Sequence, residues 1–138
     1  MSDTDALRHE IEREHKAIAK TLRRMEETED PMALRPFLEE LRPLLETHFE
    51  REEAADGLHA AIGETAPNLL PQVDELFQEH REIASDLERL CGHSERIARL
   101  ATEVREGTLE LIQRLRDHEA QENDIFGHAV YDVHGAGD

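Results

Sequence analysis

A chain of 138 residues with 33 acidic and 16 basic side chains has a formal charge of −17. That balance argues against nucleic acid and anionic membrane as partners, since both are held by clustered Lys and Arg. Its 38% hydrophobic and 4% aromatic content, with no Trp, fits one domain with a helical core of Leu, Ile, Val and Ala.

The single cysteine, Cys91, leaves no internal disulfide and fits a reducing cytosol. The start, M-S-D-T-D-A-L-R, has neither a basic n-region nor an apolar h-region, so no signal peptide is expected. No apolar run approaches the roughly 20 residues of a membrane span. A cytoplasmic protein is therefore expected. The charged fraction is 36%, but the apolar residues recur with a helical period, which points to ordered helices and not to disorder.

The first helix is predicted from Asp3 to Glu29, capped by Asp3 or Thr4. Its apolar stripe is Leu7, Ile11, Ile18, Leu22 and Met25, and His15 sits inside that stripe. Asp30-Pro31 ends it, because a residue before proline is pushed out of the α region. The second helix is predicted from Leu34 to Ala55, with Leu38, Leu41, Leu45, His48 and Glu52 on one face. Pro36 is tolerable in a first turn, whereas Pro43 should kink or restart the helix near Leu41. A linker with Gly57, Gly63 and Pro67 follows, in which Leu58, Ala61 and Ile62 suggest a short extra helix.

The third helix is predicted from Leu69 to Cys91, with Pro71 in its first turn and Gly92 just past its end. Its stripe runs Val73, Leu76/Phe77, His80, Ile83, Leu87, Leu90. The fourth ends near Val130 and carries Val104, Thr108, Leu111, Leu115, His118, Glu122, Ile125 and Ala129. A frayed tail is expected over 131–138. The bundle proper should therefore occupy about residues 5–130 of a single domain.

Six chemistry-bearing residues interrupt these stripes: His15, His48, Glu52, His80, His118 and Glu122. Two H-x-x-x-E units, H-F-E-R-E and H-E-A-Q-E, each place an imidazole and a carboxylate one helical turn apart on one face. Heights along antiparallel helices test the grouping. The midpoints of His15/His48 and His48/His80 fall at about residues 31 and 64, on turn signals placed independently of the histidines. The midpoint of His80/His118 falls near Arg99, which is no turn signal. A turn at Gly92 would leave His118 about eleven residues, roughly 17 Å, from the level of His80. A longer connector across about 93–101 is therefore expected.

Each signal alone is weak. A lone stripe histidine is more often a hydrogen-bonded core residue, and one H-x-x-x-E is more often an exposed pair. Six together, in phase with four stripes, point to a metal site, because coordination offsets the several kcal/mol that burying such groups otherwise costs. Imidazole and carboxylate without thiolate suit iron, manganese or zinc. Six ligands exceed a closed tetrahedral zinc site and suit two octahedral ions bridged by Glu52 and Glu122. Four imidazoles and two bridging carboxylates supply about eight of about twelve positions. An oxo or hydroxo bridge would take about two more, leaving about two for water or a small ligand. The pattern differs from the ferritin-like Glu-x-x-His spacing.

The order His15, His48-x-x-x-Glu52, His80, His118-x-x-x-Glu122 resembles the hemerythrin-like HHE cation-binding domains over about residues 5–130. The resemblance implies an all-α, antiparallel up-down four-helix bundle around a carboxylate-bridged non-haem di-iron centre. By position, His15 and His48 would serve one iron, and His80 and His118 the other, with both glutamates bridging. Oxygen-carrying hemerythrins have a further histidine four residues from the third-helix ligand. Leu76 and Ala84 stand at those positions here, which implies a more open, reactive iron than in a reversible O₂ carrier.

The remaining residues receive blander assignments. Phe49, Phe77 and Phe126 are core packing beside the ligands. Tyr131 has no assigned role, His59 would face the site only if the second helix continued through Gly57, which argues against it, and His9, His93, His128 and His134 are solvated. Runs such as Glu52-Glu53 mark solvated faces, and Glu53 need not follow Glu52 inward. Three functions compete. The first is a redox-active di-iron protein binding or reacting with O₂, peroxide or NO, in sensing or detoxification, possible enzymatic peroxide turnover included. The second is an iron sensor or iron donor without turnover. The third is a plain helical bundle acting through its surface. A monomer or weak homodimer is expected.

Overall fold

The computed structural model describes the backbone of residues 2–136 and the side chains of residues 2–129. Helix α1 covers Asp3–Glu26. Its cap is Ser2, one residue before the expected ones; the Ser2 hydroxyl accepts from the Asp5 N–H at 3.1 Å. Asp3 and Asp5 face the positive end of the helix dipole, and Arg23 and Arg24 face the negative end. The helix stops three residues earlier than expected. The Glu27 N–H donates to the Arg23 carbonyl, and the Asp30 side chain accepts from the Met32 N–H at 3.0 Å, starting a 3₁₀ turn over Pro31–Leu34.

Helix α2 follows directly as Arg35–Glu53. Pro36 occupies its first turn, and the helix continues through Pro43 without ending, so the expected restart near Leu41 does not occur. One stripe of α2, Leu38, Leu41, His48 and Glu52, is buried, as its spacing predicted. The short helix α3 spans Leu58–Thr65 and leads through a 3₁₀ turn, Pro67–Leu69, into α4. Gly57 has a reason to be glycine. A Cβ there would meet the Glu52 carbonyl oxygen, would come within 2.6 Å of that of Arg51, and would lie 2.9 Å from that of Ala54.

Helix α4 spans Leu70–Ala136, 67 residues. The expected break is absent: the separate third helix ending at Cys91, the connector across 93–101 and the fourth helix are one helix, and the tail expected after Tyr131 is helical to Ala136. Residues 137 and 138 lie outside the described part. The local chemistry explains the continuity. Gly92 does not adopt positive φ, and residues 93–101 contain no proline but several strong helix formers (Glu95, Arg96, Ala98, Leu100). A glycine inside a helix costs only about 1 kcal/mol relative to alanine. No helix among the described residues is long and apolar enough to cross a membrane.

The chain divides into two compact units, Met1–Ile97 and Ala98–Asp138. In the first, Leu38, Leu41, Leu87 and Cys91 form the buried centre, with Ile18, Met25, Leu34 and Leu45 against it. There α1 runs antiparallel to α2, and α2 antiparallel to the first part of α4: Arg24 meets Glu40 while Glu14 meets Arg51, and Arg42 meets Glu88 while Glu53 meets His80. The second unit is helix, on which Val104, Leu111, Leu115 and Ile125 are exposed.

Candidate metal centre

Three helices of the first unit converge on one point. Helix α1 delivers His15, α2 delivers His48 and Glu52 from adjacent turns, and α4 delivers His80. His48, Glu52 and His80 are buried, whereas His15 is exposed. His15 Nε2 lies 3.0 Å from His48 Nε2, and Glu52 Oε1 lies 2.5 Å from His48 Nε2. One ligand atom from each of His15, His48 and Glu52 falls within 4.8 Å of the others, which makes these three a candidate metal site. His80 approaches from the other side, its Nε2 3.7 Å from the same Glu52 oxygen.

The hydrogen-bond network sets the tautomers. His48 Nδ1 lies 3.1 Å from Glu14 Oε1, and His80 Nδ1 lies 3.1 Å from Glu53 Oε2. An ionised carboxylate only accepts, so each Nδ1 carries the hydrogen and donates it. Where the rings are neutral, the Nε2 of each then presents a lone pair toward Glu52, itself an acceptor. His15 can donate one hydrogen to His48, whereas Glu52 receives a hydrogen from this group only if the His48 or His80 ring carries a second proton. Acceptors held this close in a buried place repel unless a proton or a metal cation lies between them. Coordination bonds of about 2.1 Å at right angles put neighbouring donor atoms about 3.0 Å apart, the spacing His15 and His48 already have.

Two carboxylates that complete this arrangement escaped the sequence analysis. Glu14 sits beside His15 in the helix, yet it serves His48 and also accepts from Arg51 Nε at 3.0 Å. Burial pushes the Glu14 carboxyl up, but the bonds from His48 and Arg51 outweigh it and hold the group below its usual range. Glu14 in turn raises the Arg51 guanidinium. Glu53, expected to face solvent, turns onto His80. Their signal was available: each stands next to a ligand in the sequence, Glu14-His15 and Glu52-Glu53. Phe49 stacks on the His80 ring, with centroids 3.9 Å apart and planes within 10°. It covers the face of the imidazole, as the packing assignment anticipated.

His118 and Glu122 lie in the second unit. They face one another across one helical turn, Nε2 to Oε1 2.8 Å, with side chains 65% and 57% exposed. Of the other histidines, His9 and His93 are exposed, and His59 stands 3.5 Å from Asp74 on the surface. Two cavities adjoin the convergence point. One of about 520 Å³ is lined by Phe49, Glu53, His80 and Ala84, and one of about 380 Å³ by Leu7, Ile11, His15 and Ile62.

An all-helical domain that gathers imidazoles and a carboxylate in this way is a cation-binding domain of the histidine–carboxylate type. The chain belongs to the hemerythrin HHE cation binding domain family, which it matches over residues 6–130. No curated protein and no solved structure gave a match.

Proposed function

We propose that the protein is a non-haem di-iron protein that binds or reacts with O₂, peroxide or NO in the cytoplasm, in oxygen or redox-stress sensing or detoxification. The observation that carries this is Glu52, a buried carboxylate with an imidazole nitrogen on either side, His48 Nε2 at 2.5 Å and His80 Nε2 at 3.7 Å. Such a position suits a bridging ligand. The proposed ligand set is His15, His48, Glu52, His80, His118 and Glu122, with Glu122 as the second bridge. The reading takes about residues 5–130 as one domain in which the two parts of α4 act as antiparallel third and fourth helices of an up-down bundle. A reversal within 93–101, around the midpoint of His80 and His118, would bring those two histidines level. It would bury the apolar stripe of Val104, Leu111, Leu115 and Ile125, each worth about 1.5–3 kcal/mol.

Iron would supply redox chemistry and open coordination positions. The chain's own part is to hold the ligands. Glu14 and Glu53 receive the Nδ1 hydrogens, Phe49 covers the His80 ring, and the 520 Å³ cavity beside His80 admits a small molecule. The His15–His48–Glu52 group by itself suits one ion. It favours a second reading, an iron sensor or donor module that holds a single labile ion without turnover. No nucleic acid or membrane partner is proposed, and a monomer or weak homodimer is expected.

Metal analysis with absorption spectroscopy separates the readings. The di-iron reading expects about two iron atoms per chain, charge-transfer bands in the near ultraviolet and a spectral change on adding peroxide. It also expects Glu122→Ala to halve or empty the site. One iron per chain, unaffected by Glu122→Ala and silent to peroxide, supports the sensor or donor module. Iron bound at neither His48 nor Glu52 sinks both.

A further inference from the structure

We infer that Glu14 and Glu53 are paired positioning residues, each belonging to one helix and fixing the metal-binding face of a histidine on the next. The inference rests on the metal-site reading above and adds two residues to it. Glu14 of α1 takes the Nδ1 hydrogen of His48 on α2, and Glu53 of α2 takes the Nδ1 hydrogen of His80 on α4, both at 3.1 Å. Each carboxylate is the sequence neighbour of a ligand, Glu14 of His15 and Glu53 of Glu52. Consecutive helical residues point about 100° apart. One helix can therefore send a ligand to the shared point and a supporting carboxylate to its neighbour's ligand. The same two-residue device occurs at the α1–α2 contact and where α2 meets the first part of α4.

The consequence is chemical. An imidazole has one hydrogen to place when neutral, and a metal needs the nitrogen without it. With Nδ1 committed to a carboxylate, Nε2 of each neutral ring is left without a hydrogen and lies toward Glu52, that of His48 also within reach of His15 Nε2. The carboxylate also fixes the ring about its last two torsions and makes the ligating nitrogen more basic. The two supports differ in strength. The Glu14 side chain is 14% exposed and is itself held by Arg51 Nε at 3.0 Å. The Glu53 side chain is 34% exposed and has the His80 ring as its partner. Its contact is the weaker and more solvated one, so Glu14 should matter more.

The test begins with the metal-free protein, where iron chemistry cannot interfere. Long-range ¹H–¹⁵N NMR of the imidazoles reads the tautomer of each histidine at neutral pH. Nδ1–H is expected on both His48 and His80; Nε2–H on either ring overturns the inference. Fe(II) affinity is then measured anaerobically by chelator competition. Glu14→Ala and Glu53→Ala should each weaken binding about 10- to 100-fold, with the larger loss at Glu14. Glu14→Gln and Glu53→Gln, whose amide oxygens can still accept from Nδ1, should recover most of the affinity and keep the tautomer. Unchanged affinity in both alanine variants, or glutamine variants no better than alanine, refutes positioning by this bond. Should an alanine variant fail to fold, its glutamine counterpart and the wild-type tautomers still decide. Should the wild type bind no iron while showing both Nδ1–H tautomers, the metal reading falls and the carboxylate–imidazole pairing stands.

Discussion

Glu52→Gln separates a metal ligand from an ordinary buried carboxylate, because the two readings predict opposite signs. Glu52 Oε1 sits 2.5 Å from His48 Nε2, with His80 Nε2 at 3.7 Å, and in the metal-free protein with neutral rings both nitrogens present lone pairs to it. Glutamine has nearly the same shape and replaces an acceptor with an NH₂ donor. It can donate to His48 where the carboxylate can only oppose it. A net hydrogen bond contributes about 1 kcal/mol. For a chain of this length that corresponds to about 3–4 °C in melting temperature, so the metal-free variant should melt higher than the metal-free wild type. Iron should reverse the order. At about 100 times its dissociation constant a ligand stabilises the native state by about 2.7 kcal/mol, roughly 9 °C here. If the variant binds iron about 100-fold more weakly, the same iron concentration yields about 0.4 kcal/mol, roughly 1 °C. Differential scanning calorimetry of both proteins, with and without iron, measures all four temperatures. A Glu52→Gln protein that melts lower without iron and keeps the full iron-dependent rise would refute the account of Glu52 as an acceptor awaiting a cation.

Three further outcomes follow from the same geometry. Gly57→Ala should lower stability by more than 1 kcal/mol in urea unfolding, since its Cβ would press on the carbonyls of Glu52, Arg51 and Ala54 and must displace backbone next to a ligand. The Glu14 carboxyl is held below the ordinary value of 4.5 in the fold, so its contribution is full above that pH and is lost as pH falls through the lowered range. The stability difference between wild type and Glu14→Gln, both metal-free, should therefore be constant from neutral pH down to about 5 and shrink below 4.5. A difference that grows in acid contradicts the shift. Ala84 lines the cavity beside His80 and Leu76 does not, so Ala84→His should slow peroxide turnover and prolong O₂ binding while Leu76→His leaves both unchanged. Stopped-flow spectroscopy of the two loaded variants decides this.

Much of the first unit was legible because its signals are local and periodic. The stripe Leu38, Leu41, His48, Glu52 follows helical spacing, and that spacing decides burial whatever the neighbours do. Asp30-Pro31 marked the turn between α1 and α2 for a steric reason that needs no tertiary context, although α1 itself stops earlier, at Glu26. The convergence of His15, His48 and Glu52 followed from heights counted from that turn. Glu53 was misassigned because adjacent helix positions usually diverge into solvent, and one sequence cannot show that a third helix brings His80 alongside. Glu14 was passed over for the same reason. The course of α4 was misread because two tendencies compete over 92–101. Gly92 permits an end, yet the residues after it favour helix, and no proline or positive-φ glycine settles the matter. A chain reversal there depends on long-range burial of Val104, Leu111 and Leu115, to which local spacing is blind.

The central claim is that His15, His48 and Glu52 hold a cation between them, with His80 across Glu52. The most direct measurement is an anomalous-difference map at the iron edge from crystals of the iron-loaded protein. The account predicts a strong peak about 2.1 Å from His15 Nε2, His48 Nε2 and a Glu52 oxygen, with a second peak beyond Glu52 toward His80 Nε2. Density for iron at surface histidines such as His9 or His59, with Glu52 and His48 left in direct contact, would contradict it.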